Sequence, residues 1–136
     1  LLKYVIGRAR PPLYEQYGIF AFKPFNGDFL FESFPSAHSA NVGAFFVALA
    51  LVFPRLRLLF ISLGIWLGVT RVIIGVHYPS DVTAGLALGA WIAFAIAIIF
   101  SRFGLVFSAG PTGWPIPRRN PYFHRPVNCL KSVKKL

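Results

Sequence analysis

The stretch LLFISLGIWLGVTRVIIGVHYPSDVTAGLALGAWIAFAIAIIF, Leu58 to Phe100, is apolar at almost every position, yet Arg71, His77 and Asp81 lie close together near its centre. Leu58–Val76 carries Arg71 as its single charge, and Val82–Phe100 carries none. At about 1.5 Å of rise per residue each segment reaches about 28 Å as a helix, close to the roughly 30 Å hydrocarbon thickness of a bilayer. Both are therefore expected to cross a membrane. Tyr78-Pro79 separates them, because the residue before a proline avoids the α region while proline itself suits a helix's first turn. His77 then falls at a helix break and Asp81 in the opening turn of the next helix. Charged groups so close to hydrocarbon are costly unless they are paired, snorkel or line a wet cavity, so their placement calls for a reason.

Upstream, Ser36–Phe53 forms a further apolar stretch, preceded by Pro35 and stopped by Pro54 in the short linker Pro54-Arg55-Leu56-Arg57. The fold class expected is all-α, a polytopic transmembrane bundle with spans at about 36–53, 58–76 and 82–100 inside a membrane domain of residues 1–101. Gly64/Gly68 and Gly85/Gly89 are small-xxx-small pairs of the kind that let helices approach closely. Hydrophobic residues make up 56% of the chain and charged ones 13%, a balance unlike that of a soluble domain.

Fourteen Lys and Arg against four Asp and Glu give a net charge of +10. Alone, that would suit nucleic acid, anionic lipid or a phosphate-bearing substrate; placement decides against nucleic acid. With alternating spans, Arg55, Arg57, Arg102, Arg118, Arg119, Arg125, Lys131, Lys134 and Lys135 share one side, and the four acids, Glu15, Asp28, Glu32 and Asp81, share the other. The positive-inside rule puts the basic, proline-containing tail, 102–136, in the cytoplasm and the His77 rim on the outer face. The tail reads as irregular or bound to the lipid surface. Residues 11–34 carry eight Tyr or Phe and suit an interfacial aromatic belt, with a lid as the other reading; a hairpin around Asn26-Gly27 is opposed by Pro24. Cys129 is the single cysteine, which excludes an intrachain disulfide, and no zinc-type spacing occurs.

The outward rim gathers Lys3, Arg8, Arg10, the tetrad Pro35-Ser36-Ala37-His38, Arg71, His77 and Asp81. A helix starting at Ser36 turns the free N–H groups of Ala37 and His38 and the positive end of its dipole toward the rim, where a phosphate is well held. Lys3, Arg10 and Arg71 add cationic donors, and a guanidinium fork suits two phosphate oxygens at once. A carboxylate such as Asp81 on one nitrogen of His77 fixes the tautomer and leaves the other nitrogen as a nucleophile or base.

Lys3-(six residues)-Arg10-Pro11, then Pro35-Ser36-Ala37-His38, then Thr70-Arg71-(five residues)-His77-(three residues)-Asp81 resembles the three-part signature of the type 2 phosphatidic acid phosphatase superfamily. Order and spacing are intact from Lys3 to Asp81. Ala37 stands where the family usually has glycine, and Thr70 replaces a serine but keeps its hydroxyl. The resemblance implies a helical membrane phosphatase, usually of six spans, acting without metal or other cofactor on lipid phosphates or pyrophosphates at the outer face. Position by position, it implies that Lys3, Arg10, Ser36, the Ala37 amide and Arg71 bind phosphate, that His38 is the general acid, that His77 is the nucleophile and that Asp81 orients it. The chain opens on Leu1-Leu2-Lys3 and contains no methionine, so it is read as the three C-terminal spans of a longer protein, with its activity alone in question. The rival readings are a non-catalytic lipid-binding remnant that keeps the pocket and, within the same superfamily, a vanadate-dependent haloperoxidase, which three apolar spans disfavour. Which lipid is the substrate, and the oligomeric state, are open at this level.

The charge asymmetry fixes an expected topology: a reporter fused after Lys135 lies in the cytoplasm, and a label at Asn26 reacts from outside. Reversed accessibility at both points would overturn it.

Overall fold

A computed structural model of the chain describes residues 1–109 and 115–117. Three helices dominate it. The first of these, α3 (Ala37–Val52), begins at the Ser36 cap; after a 3₁₀ turn at Pro54–Leu56 comes α4 (Arg57–Ile73), and then α5 (Pro79–Arg102). Two short helices precede them, α1 (Leu2–Ile6) and α2 (Tyr14–Tyr17), with 3₁₀ turns at Pro11–Leu13 and Phe29–Phe31.

Two helical stretches, Pro54–Ile73 and Pro79–Arg102, are long and apolar enough to cross a membrane. Three spans were expected; α3, at 16 residues, is only about 24 Å long. It is shorter because Pro54 starts a separate turn and its first residue follows the Ser36 cap. The second expected span also ends early, at Ile73 rather than Val76, since residues 74–78 turn to reach Pro79. Conversely α5 starts before Val82 and runs on to Arg102. Leu58, Leu59, Ile65, Trp66 and Ile73 of α4 and Trp91, Ile92, Ile96 and Ile99 of α5 all face outward. A continuous apolar surface of that size is not tolerated in water; this is a membrane protein.

α5 lies along α3, with α4 on the flank of both. Glycines make the α3–α5 approach possible. A Cβ on Gly89 would overlap the Ala40 carbonyl oxygen, and one on Gly85 would sit 2.5 Å from the Ser36 oxygen. Gly64 and Gly68 meet side chains instead, Phe46 and Leu86 respectively. Of the two pairs, Gly85/Gly89 makes the backbone-to-backbone contact, and Gly43 of α3 meets the Leu86 carbonyl oxygen in the same way.

Residues 7–10 run as an extended strip between two other segments. Gly7 closes α1 in the left-handed region, φ 60°, and has the Lys23 carbonyl packed where a side chain would be. From there Lys23 N–H donates to the Gly7 carbonyl, Ala9 N–H to Ala21, Arg10 N–H to Leu30 and Ser33 N–H to Arg8, at 2.7–3.0 Å. The aromatic segment is folded onto this strip, and no hairpin forms at Asn26-Gly27, where Phe25 and Gly27 both have positive φ. Beyond α5 the chain is less irregular than expected: β1 (Phe107–Ala109) pairs antiparallel with β2 (Pro115–Pro117), and Phe107 is buried. Arg118, Arg119, Arg125, Lys131, Lys134 and Lys135, which carry most of the tail's expected charge, lie outside the described residues.

Gly89→Ala should lower thermal stability in detergent by the amount typical of overpacking, about 1–3 kcal/mol, whereas Ile99→Ala on the outward face should change it little. Equal melting curves for Gly89→Ala and the parent would show that α3 and α5 do not meet there.

Candidate active site

The start of α5 and the start of α3 are tied together: the Ser36 N–H donates to the Asp81 carbonyl at 3.0 Å. Around that junction sits a set of buried polar side chains. Asp81 is fully buried, as are Ser33, Ser36 and Ser39, while Arg8 and His77 are each 7% exposed. A buried carboxylate needs compensation, and Asp81 has it from several directions. Its Oδ1 forms an ion pair with Arg8. Its Oδ2 accepts from the Ser33 hydroxyl at 2.5 Å and from the Tyr78 N–H at 3.0 Å. The same Arg8 guanidinium donates to Ser80 Oγ at 2.7 Å and lies 4.4 Å from the centre of the Tyr78 ring.

His77 stands beside this hub. Its Nδ1 is 3.7 Å from Asp81 Oδ2, too long for a hydrogen bond, and 3.4 Å from Ser33 Oγ. The sequence does not announce the roles of Arg8 and Ser33: Arg8 looks like one more rim cation, and nothing in the spacing of Ser33 reveals that the segment before Pro35 folds back on Arg8.

His38 is on the exposed side of α3's first turn, where Arg71 reaches it from the last turn of α4: Arg71 Nη2 donates to His38 Nδ1 at 3.0 Å. A guanidinium only donates, so Nδ1 accepts and the proton of a neutral His38 sits on Nε2. Arg71 Nε is buried with no partner. The Ser36 hydroxyl points into the helix, accepting from Ser39 N–H at 3.4 Å and from Ser39 Oγ at 3.1 Å; as arranged it caps α3 and does not line the rim. The N–H groups of Ala37 and His38 are left directed out of the helix start, as expected of a first turn.

Arg10 is held from below. Its Nε donates to the Phe29 carbonyl at 3.1 Å, Nη2 lies 3.5 Å from the Glu32 carbonyl, and the guanidinium sits 3.8 Å over the Phe29 ring. Lys3 is half-buried within electrostatic reach of it. Burial first, and then the Arg10 charge, hold the Lys3 ammonium below the ordinary lysine value, only partly offset by Glu32 and Asp81. Burial likewise pushes the Tyr78 phenol up. Among the described residues no three His, Cys, Asp or Glu side chains converge as a metal-ligand set.

The rim holds two histidines, a buried aspartate and the cations Lys3, Arg8, Arg10 and Arg71, and the family model for the PAP2 superfamily matches residues 1–105. The chain belongs to the PAP2 superfamily. It is 60% identical over 119 residues to a lipid A 1-phosphatase of Rhizobium johnstonii, covering 88% of this chain and 49% of that protein. A lipid A 1-phosphatase of Rhizobium etli is 58% identical over 119 residues, 88% of this chain and 51% of the relative. An undecaprenyl-diphosphatase of Sulfolobus acidocaldarius is 35% identical over 99 residues, 68% of this chain and 43% of the relative. The PAP2 chain spans about half the length of these curated relatives. No solved structure matches it.

Because its proton is held loosely, Lys3 should be lost as a cation at a lower pH than a free lysine. Phosphate or vanadate binding should therefore weaken on the alkaline side, and Lys3→Arg, which keeps its charge there, should flatten that limb. Identical alkaline limbs for the two proteins, measured as inhibition constants across pH, would show that Lys3 does not bind the anion.

Proposed function

We propose that the chain carries the catalytic half of a metal-independent membrane phosphatase that hydrolyses a lipid phosphate monoester or pyrophosphate through a phosphohistidine, with the 1-phosphate of lipid A as the substrate. The observation that carries this reading is the convergence at one membrane-edge rim of His77 beside buried Asp81 and of His38 bonded to Arg71. The 60% identity to a lipid A 1-phosphatase supports the choice of lipid; undecaprenyl diphosphate is the second candidate, supported by the more distant relative.

In this mechanism the phosphate is held by Lys3, Arg10, Arg71 and the Ala37 and His38 amides, with Ser36 contributing by shaping the helix start. His77 attacks in line, forming an N–P bond as the P–O bond to the leaving group breaks. With phosphate bound, Arg71 turns from His38 to the phosphate oxygens and His38 enters as the imidazolium; it donates one proton to the departing oxygen, becoming neutral, and then removes one from the water that cleaves the phosphohistidine. The cations and amides hold the charge on the equatorial oxygens throughout. In the same reading α3 joins α4 and α5 as a third membrane-embedded helix of a six-span protein, the site faces outward and the tail is cytoplasmic.

Phosphate release from a panel containing lipid A, undecaprenyl diphosphate, phosphatidate and phosphatidylglycerol phosphate tests the reading. Lipid A should be the preferred substrate, activity should survive EDTA and vanadate should inhibit. His77→Ala should abolish turnover, while His38→Ala with an activated aryl phosphate should accumulate an acid-labile phosphohistidine. A strict requirement for added magnesium, or normal turnover by His77→Ala, would overturn the mechanism; a preference for another lipid would overturn the substrate.

A further inference from the structure

We propose that Ser33 is the positioning residue for His77: its hydroxyl, rather than the Asp81 carboxylate directly, holds the imidazole and passes the aspartate's charge to it. The proposal rests on the reading of His77 as nucleophile.

Asp81 is already occupied. Oδ1 is taken by Arg8, and Oδ2 by the Ser33 hydroxyl and the Tyr78 N–H. His77 Nδ1 stands 3.7 Å from Oδ2 but 3.4 Å from Ser33 Oγ, so the nearer partner is the serine. A hydroxyl has one proton to give. At 2.5 Å that proton goes to the carboxylate, the short separation expected of a hydroxyl bonded to an ionised acceptor. Toward His77, Ser33 therefore acts as acceptor, which requires the imidazole proton on Nδ1. Nε2 is left with its lone pair, and it is the atom that can attack phosphorus.

Ser33 is well placed to be rigid. It is fully buried, and its backbone N–H is bonded to the Arg8 carbonyl at 3.0 Å. Arg8 thus grips the carboxylate with its side chain and the serine with its main chain. When the Nε2–P bond forms and the leaving oxygen takes the electron pair and the His38 proton, His77 becomes a cation that keeps its Nδ1 proton. The Ser33 oxygen and, through it, the Asp81 charge face that cation, and Asp81 stays unprotonated. None of the phosphate-holding cations is bonded to Ser33, so the serine should act on the chemical step and not on binding.

The test uses the intact membrane-embedded protein, with lipid phosphate as substrate and inorganic vanadate as probe of the phosphate pocket. Ser33→Ala should lower kcat by roughly 10- to 100-fold, the range typical of residues that orient a reacting ligand from behind, with KM and the vanadate inhibition constant nearly unchanged. Ser33→Thr, which restores a hydroxyl, should recover most of the loss. Because Ser33 and Asp81 act along one chain of bonds, Asp81→Asn should cost much less in the Ser33→Ala background than in the parent. Wild-type kcat in Ser33→Ala, independent effects of the two substitutions, or joint loss of kcat and vanadate binding with no recovery by threonine would each overturn the proposal. Failure of the parent reading looks different: no phosphate release by the unsubstituted protein, or full activity in His77→Ala.

Discussion

The buried carboxylate of Asp81 is the constraint from which the rest of the rim follows. An ionised acid with no solvent contact is tolerable only when its oxygens are filled by donors and its charge is matched. Here the match comes from Arg8, some seventy residues away in sequence, and the donors from the segment before α3 and the turn before α5. One acid therefore joins three stretches that are far apart in sequence, alongside the backbone bonds between them. The stacking of Tyr78 on the same guanidinium closes the arrangement from the side.

That meeting also depends on how near α3 and α5 can come. With ordinary side chains along their seam, the two helix axes would stand farther apart, and the Ser36 N–H would not reach the Asp81 carbonyl. Gly85 lies directly against the Ser36 backbone and Gly89 against Ala40, so the close approach reaches as far as the Ser36–Asp81 junction. Packing and electrostatics work on the same few residues. The small residues serve the positions of His38 and His77 by the space they leave.

Much of this was legible in the sequence, because it rests on short-range rules. Pro79 marks the start of α5, Ser36 caps α3, and the apolar runs identify the membrane helices. The spacing of Lys3, Arg10, His38, Arg71, His77 and Asp81 pointed to a phosphate site. What stayed hidden were contacts made by folding a loop. Arg8 differs from Arg10 by two positions and looks equivalent to it, yet Arg8 turns to Asp81 and Arg10 to the Phe29 carbonyl. Ser33 resembles any loop serine until residues 30–33 are laid beside residues 8–10. The length of α3 and the pairing of β1 with β2 were missed for a similar reason: apolar content does not say where a helix stops, and a proline-rich strand such as β2 carries no alternating pattern.

The outer surface of α4 stays apolar as far as Ile73 and Ile74, which are 72% and 63% exposed, although Arg71 beside them turns inward to His38. Arg71, which the proposed mechanism assigns to the phosphate, is thus only two residues from an apolar side chain that faces outward. A lipid could present its head group here while its chains stay in the leaflet, arriving by lateral diffusion rather than from water. For such a molecule the quantity that governs encounter is its mole fraction in the membrane, and diluting it with inert lipid would slow the encounter even at constant bulk concentration.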